Sequence, residues 1–401
     1  MSETVHLRRS MYVYPWDVAE QGARNISVEL AAIGIDTLSV ASSYHAGHFV
    51  QPRGKKRRTY FPEDGTVYFR PNPALWQTGE IQPRVAAQLE NEGNALADLV
   101  ALRDDTGLSI SCWTVCLHNT RLGLSHPGHV TRNAFGDPNY YSLCPSSPEA
   151  RRYVRTLVRD LTTQYRPNVI EIETPGFMQF PHGYHHEKDG LGLTPEEEFL
   201  LSLCFCEHCR TGSAASGIDA GGAADIVQRA IVAACERELP VRTFPTFPER
   251  GLTSFHSEPA LIDYLLWRAT VVTNLVNEIR QEADERTSVL IITEPAAWRE
   301  GIDLDQIAKV SDGVALLGYG YDPAGLGAMV REARSTIGAD KALGIALRPF
   351  VSDISSAAEL AELSAAAARA GATRLHYYNY GLVPAARLAW VGTAIRAAAR
   401  G

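Results

Sequence analysis

The stretches SVLIIT (288–293), GVALLG (313–318), ALGIAL (342–347) and RLHYYN (374–379) decide the fold. Each is a short β-rich run, and one helix-length segment separates it from the next, which is the rhythm of a βαβα chain. The intervening segments carry their own boundaries. Asp322-Pro323 and Ser352-Asp353 offer helix N-caps, and Gly338 and Gly371 follow as stops. Upstream, MYVYPW (11–16), DTLSVASSY (36–44), LSISCWTVCL (108–117) and NVIEIET (168–174) repeat the pattern, with helices expected from near Asp17, Pro83 and Ser147-Pro148-Glu149. Four strands and four strands predict an α/β chain folded as a (β/α)₈ TIM barrel, one main domain over residues 1–401. An open doubly wound sheet fits the same alternation, but no Gly-rich phosphate turn follows the first strand. The surplus length falls into insertions at 45–82 and 176–257. Both follow strands, so both are expected over the C-terminal face, where such barrels keep their sites.

Composition narrows the function. The chain has 45% hydrophobic and 21% charged residues, the balance of an ordinary globular protein. A formal net charge of −8 supplies no positive field for nucleic acid. The basic run Lys55-Lys56-Arg57-Arg58 reads as a solvated loop. The first sixteen residues lack an apolar export core, and no stretch supplies the ~18 apolar residues of a membrane span, so a cytoplasmic protein is expected. Seven cysteines in such a chain suggest reduced thiols or metal ligands. Self-association into a homo-oligomer is left open.

The chemistry begins on the fourth strand. Alternation in NVIEIET turns Val169, Glu171 and Glu173 to one side and Ile170 and Ile172 to the other, the apolar side suiting the helical shell. Two inward carboxylates need cations, hydrogen bonds or a wet pocket. Glu173, nearest the mouth, is the catalytic candidate, and Glu171, one layer deeper, either tunes it or belongs to a structural ion-pair network. The next strand exits at Glu294, just before Pro295. A carboxylic acid facing a carboxylate is what glycosidic bond cleavage requires, and Glu173 with Glu294 is the expected pair. Around them, strand ends carry groups suited to a polyhydroxyl ligand: Tyr14, Trp16, Tyr44, His45, His118, Asn119, Tyr319, Arg348, Tyr377 and Asn379. Arg348 is in phase with Gly344 and Ala346, which leaves room for a long cation to reach the carboxylates.

The insertion after the fourth strand carries two clusters. In FPHGYHHEKDG, His182, His185 and His186 can face substrate, solvent or a metal, and the glycine-interrupted loop sets no ligand geometry; His182 is taken as the substrate-facing candidate. In CFCEHC, Cys204, Cys206 and Cys209 have a spacing that suits Zn²⁺. Cys144, Cys112, Cys116 or His208 can supply the fourth ligand, with Cys144 favoured because its loop follows the third strand. Four protein ligands close the coordination sphere, so such a zinc is structural. No organic cofactor is expected.

The stretch from Glu173 to Cys209, a fourth-strand glutamate followed by a C-x-C-x₂-C cluster, resembles the glycoside hydrolase family 42 β-galactosidases and related glycoside-hydrolase-like barrels. That resemblance implies an acid/base role for Glu173 and a non-catalytic zinc at Cys204, Cys206 and Cys209. The chain departs from the family pattern where Ile172 replaces the asparagine before the glutamate, and where the seventh strand ends Leu347-Arg348-Pro349 without a carboxylate. The stretches SSYHAGHF and RTYFPEDGTVYFRP look like uncharacterised glycoside-hydrolase-like proteins, and acids on strands four and five resemble the α-amylase arrangement. Three readings follow. One is a glycoside hydrolase acting on a small glycoside or oligosaccharide; the second is a metal-dependent sugar isomerase or epimerase using Glu173, Glu294 and a histidine; the third is a catalytically silent carbohydrate-binding barrel.

Overall fold

Eight parallel strands neighbour one another in chain order: β1 (Arg8–Val13), β2 (Thr37–Tyr44), β3 (Ser109–Val115), β4 (Val169–Glu173), β5 (Ser288–Thr293), β6 (Gly313–Leu317), β7 (Ala342–Leu347) and β8 (Arg374–Tyr377). The circuit closes because Arg8–Met11 pair with Arg374–Tyr377 while Ser10–Val13 pair with Thr37–Val40. The computed structural model describes residues 7–76, 79, 81–182 and 188–400, and over them the chain is a closed (β/α)₈ barrel. Among the described residues no helix is long and apolar enough to cross a membrane.

Strand parity divides the core in two. Met11, Val13, Leu38, Val40, Ile170, Ile172, Val289, Ile291, Val314, Leu316, Leu343 and Ile345 face outward and join the large apolar cluster beneath the helices. The opposite parity fills the barrel near its mouth with Tyr12, Ala41, Trp113, Ile292, Ala315 and Ala346. A parallel strand in a barrel is covered on both faces, so only a sequence with apolar residues at one parity and small or specially partnered ones at the other fits.

Local chemistry sets most element boundaries. Ser147 caps the helix Pro148–Tyr165, Asp322 caps Pro323–Ile337, and Gly338 ends the latter with φ 88°. Two expectations shift. The first strand stops at Val13 rather than Trp16, because Pro15 opens the helix Pro15–Gln21 with Tyr14 as its N-cap. The helix after β7 is capped by Ser356, four residues beyond Ser352, since Asp353 is engaged by Arg348.

The strand excursions are richer than expected. After β2, Phe49–Val50 pairs with Thr59–Tyr60, and Thr66–Val67 lies antiparallel to the end of β2. Arg57 in the basic run is not simply solvated, for it bridges Glu20 and Glu92 at 2.6 Å each. After β3 comes a feature the sequence did not announce, a hairpin of Val130–Arg132 and Pro138–Leu143. After β4 come helices Pro195–Leu201, Glu207–Ala215 and Ala220–Glu236, then the long helix Pro259–Glu282.

Deep in the barrel, Glu171 is 1% exposed and is held by Ser39 Oγ and Ser111 Oγ, each at 2.9 Å. His376 Nδ1 lies 3.6 Å from it, and burial together with the charge of Glu171 pushes the Tyr12 phenol well above its usual range. Gly344 makes room for this network: an added Cβ would stand 2.5 Å from His376 Nε2. Gly344→Ala is therefore expected to lower stability by about 1–3 kcal/mol through overpacking. Urea unfolding measures it, and an unchanged midpoint would show that the imidazole can move aside.

Candidate active site

The barrel mouth is an aromatic bowl. Trp113 projects inward from β3 and meets Tyr12, Tyr44 and Tyr378 edge-on, with ring centroids 5.0, 5.0 and 5.9 Å away. The hydroxyls of Tyr44, Tyr14 and Tyr378 form a chain, with Tyr14 3.0 Å from Tyr44 and 2.5 Å from Tyr378. Glu173 sits in this bowl and accepts a hydrogen bond from the Trp113 indole N–H. Burial pushes the Glu173 carboxyl up to about 7; the indole N–H opposes the rise and the negative charge of Glu171 adds to it. Immediately after it the chain turns sharply. Thr174 adopts φ 55°, a left-handed conformation costly for a β-branched residue, and its hydroxyl accepts the His118 backbone N–H at 3.4 Å.

Glu294 leaves β5 into a different environment. Its Oε1 accepts from Gln179 Nε2 at 2.6 Å and from Arg299 Nη2 at 2.8 Å, the latter a charge-assisted pair with a guanidinium. The same Gln179 amide reaches a third carboxyl, Glu300, at 3.4 Å. Glu300 is pushed up to about 7, by burial first and then by Glu294, with Glu173 contributing. Its own carbonyl accepts the Phe177 N–H at 2.9 Å, which ties the β4 and β5 exits together. Glu300 therefore lies within electrostatic reach of both Glu294 and Glu173.

On the other flank, three imidazoles from three loops assemble. His45 stacks on His118 with centroids 4.4 Å apart, and His182 meets His118 edge-on at 5.0 Å. Burial lowers His45 and His118; for His118, which falls to about 2, the neighbouring His45 and His182 add to the effect. They are neutral donors and acceptors at pH 7, and among the described residues the buried Nδ1 of His118 has no hydrogen-bond partner. His185 and His186 lie outside the described residues.

Several expected ligand contacts turn out otherwise. Tyr377 has the wrong parity: it faces outward into the helical shell, and its hydroxyl meets Ser364 at 3.2 Å. Its neighbour Tyr378 points into the bowl instead. Trp16 is 0% exposed, enclosed by Tyr14, Tyr44, Phe49, Tyr60 and Tyr68. Asn119 caps the helix Thr120–Ser125 and binds the Gly65 carbonyl, so its amide is spent on the fold. Asn379 is 1% exposed and accepts from Gly381 N. Arg348 does not pair with the barrel carboxylates. It is bound by Asp353 at 2.5 and 2.9 Å and lies 4.2 Å over the Tyr319 ring. Trp113 and Tyr378 were within reach of a parity argument, since they are in phase with Ser111 and His376. Gln179 sits in an irregular loop and Glu300 ends the short 3₁₀ turn Ala297–Glu300, where no period marks them.

Beside this site, Cys144, Cys204, Cys206 and Cys209 come together, all buried, with sulfurs within 4.8 Å of one another. Cys144 Sγ lies 3.5, 3.6 and 3.9 Å from Cys209, Cys206 and Cys204. Backbone N–H groups of Arg132 and Ser146 point at Cys204 and Cys144 Sγ at 3.3 and 3.4 Å. Among the described residues this is the group whose ligand atoms converge tightly enough for an ion; Glu173, Glu294 and the histidines do not converge to that degree. Cys112 and Cys116 are buried elsewhere, beneath the strands.

No family model and no curated protein matches this sequence. Solved structures do match its fold. An α-L-fucosidase isoenzyme 2 from Paenibacillus thiaminolyticus superimposes with a TM-score of 0.59 at 13% identity, covering 98% of this chain and 49% of its own. A β-galactosidase from the psychrophilic Marinomonas ef1 gives 0.56 at 12%, covering 98% and 59%. The PgaB (BpsB) glycoside hydrolase domain from Bordetella bronchiseptica gives 0.53 at 14%, covering 93% and 94%. This chain spans about half the fucosidase and 59% of the β-galactosidase. The barrel is one that glycoside hydrolases use. At such identities the likeness concerns architecture alone.

Proposed function

We propose that this protein is a glycoside hydrolase that cleaves a small glycoside or oligosaccharide, with Glu173 as proton donor and Glu294 as nucleophile or base. The observation that carries the reading is the contrast between two carboxyls on adjacent strand ends. Glu173 lies in an aromatic bowl against an indole, where the neutral form is favoured, and Glu294 is ion-paired to Arg299. A carboxyl raised by burial and another paired with a cation are the unequal environments that suit acid and base roles. Tyr44, His45, His118, His182 and Tyr319 supply aromatic faces and neutral imidazoles for sugar hydroxyls, and the fold neighbours, enzymes named for glycosides, support the substrate class.

The four cysteines are proposed as a structural zinc site. A tetrahedron with Zn–S bonds of ~2.3 Å has edges of about 3.8 Å, close to the 3.5–3.9 Å measured here from Cys144. Four thiolates leave no open position, so the ion would staple the insertion and take no part in bond cleavage. Reduced thiols fit a cytoplasmic protein.

The test is hydrolysis of a panel of aryl and alkyl glycosides followed against pH. With Glu173 required in its protonated form, kcat/KM should fall as pH rises through about 7. The same raised carboxyl has a stability consequence. The folded state binds this proton more tightly than the unfolded one, so Glu173 makes stability decline between about 4.5 and about 7. No turnover of any glycoside by the wild-type chain would leave a carbohydrate-binding barrel.

A further inference from the structure

We infer that the hydroxyls of Tyr44, Tyr14 and Tyr378 form one directed relay, and that Tyr378 gives its spare proton to a substrate oxygen and so sets which sugars are accepted. The inference deepens the glycoside reading above and rests on it. Tyr44 ends β2, Tyr14 is the N-cap of the helix Pro15–Gln21, and Tyr378 follows β8. All three rings pack on Trp113, with centroids 5.0, 5.5 and 5.9 Å away for Tyr44, Tyr14 and Tyr378. Trp113 in turn donates to Glu173. The relay is thus built into the wall of the bowl that holds the proposed acid.

A count of protons gives the direction. Tyr14 Oη lies 3.0 Å from Tyr44 Oη and 2.5 Å from Tyr378 Oη, and among the described residues these are the only hydrogen bonds the three hydroxyls make. Three hydroxyls carry three protons, and two bonds use two of them. If both outer hydroxyls donated to Tyr14, its own proton would be stranded, because Tyr14 is 0% exposed. Tyr44, 5% exposed, is hardly better placed. Tyr378 is half-buried and lines the bowl. A buried donor left unmade is costly, so the chain runs from Tyr44 to Tyr14 to Tyr378 and its last proton points into the bowl. Polarisation along such a chain strengthens the bond at its end.

Whatever meets Tyr378 must therefore accept. Among the described residues no protein group does so, Glu173 included. A sugar hydroxyl can accept through its oxygen, whereas a deoxy position offers nothing and the ammonium of an amino sugar has no lone pair. The relay selects a glycoside with an oxygen at one position of the sugar ring. It rejects the deoxy and the amino sugar at that same position. Tyr14 and Tyr44 act through Tyr378 and are positioning residues for this contact.

Wild type, Tyr378→Phe, Tyr44→Phe and Tyr14→Phe would be assayed on para-nitrophenyl glucosides, galactosides and fucosides, each beside its monodeoxy analogues. The quantity read is the ratio of kcat/KM for the parent to that for the deoxy sugar. Wild type should show a ratio of about 10 at one ring position, the worth of one neutral hydrogen bond, and Y378F should bring it to about 1. The loss in Y378F should fall on the parent sugar and enter through KM, with the pH profile unmoved. Y44F keeps the link from Tyr14 to Tyr378 and should preserve the ratio. Y14F cuts the relay, so its ratio should lie between, and adding it to Y378F should change the ratio no further. Should Y378F not fold, the contrast between Y14F and Y44F decides. A loss in Y378F shared equally by parent and deoxy sugars would mark a structural role and overturn the proposal, as would a ratio lost in Y44F and kept in Y378F. Calorimetric binding of the same sugars gives the same ratio without turnover. Wild type that binds and discriminates but cleaves nothing would remove the hydrolase reading alone, and wild type indifferent to every deoxy analogue would remove the relay.

Discussion

Glu173→Gln should cut turnover of alkyl glycosides by about 10²–10⁴-fold, the usual contribution of a positioned general acid. The replacement keeps the shape and can still accept from Trp113, so sugar binding measured by calorimetry should hold. The decisive feature is leaving-group dependence. Activated aryl glycosides depart without protonation, so E173Q should lose far less on them. Glu294→Gln should damage both classes alike, because a nucleophile or base is needed whatever leaves. An E173Q loss that ignores the leaving group would remove Glu173 from the acid role. Turnover unaffected by either change would remove the pair.

Cys206→Ser, or exposure of wild type to a strong chelator, should destabilise the fold. If zinc is present at about a thousand times its dissociation constant, its linkage to folding supplies about 4 kcal/mol. For a chain of 401 residues that corresponds to a fall in Tm of about 5 °C. Cys235→Ser is the control, because Cys235 is exposed and outside the cluster. Calorimetry with metal analysis checks both. An unchanged Tm for C206S and for chelated protein, with no stoichiometric zinc, would show that the four thiols pack as a reduced cluster.

What could be read in advance follows from the range of the forces involved. The inward turn of Glu171 and Glu173 was legible because strand side chains alternate with period two, and Ile170 and Ile172 had only the helical shell to enter. The same argument, applied strictly to RLHYYN, would have separated Tyr377 from Tyr378. Choosing strand-end aromatics without testing their phase put Tyr377 on the wrong face. Arg348 was placed on the right parity, but its partner is Asp353, which had been read as a helix cap. The spacing of Cys204, Cys206 and Cys209 marked a cluster, and Cys144 joins it across 60 residues because the hairpin after β3 packs on the insertion, Phe205 N–H binding the Arg132 carbonyl.

By itself, then, the sequence determined the barrel, the long insertions after β2 and β4 and the parity of the fourth-strand acids, since those depend on local periodicity and on caps a few residues long. The tertiary structure alone decided which groups meet near the mouth: Trp113 beside Glu173, Gln179 between Glu294 and Glu300, and three imidazoles from three loops. These contacts join residues far apart in the chain on loops without a period, and their protonation depends on burial, which arises only when the whole barrel closes.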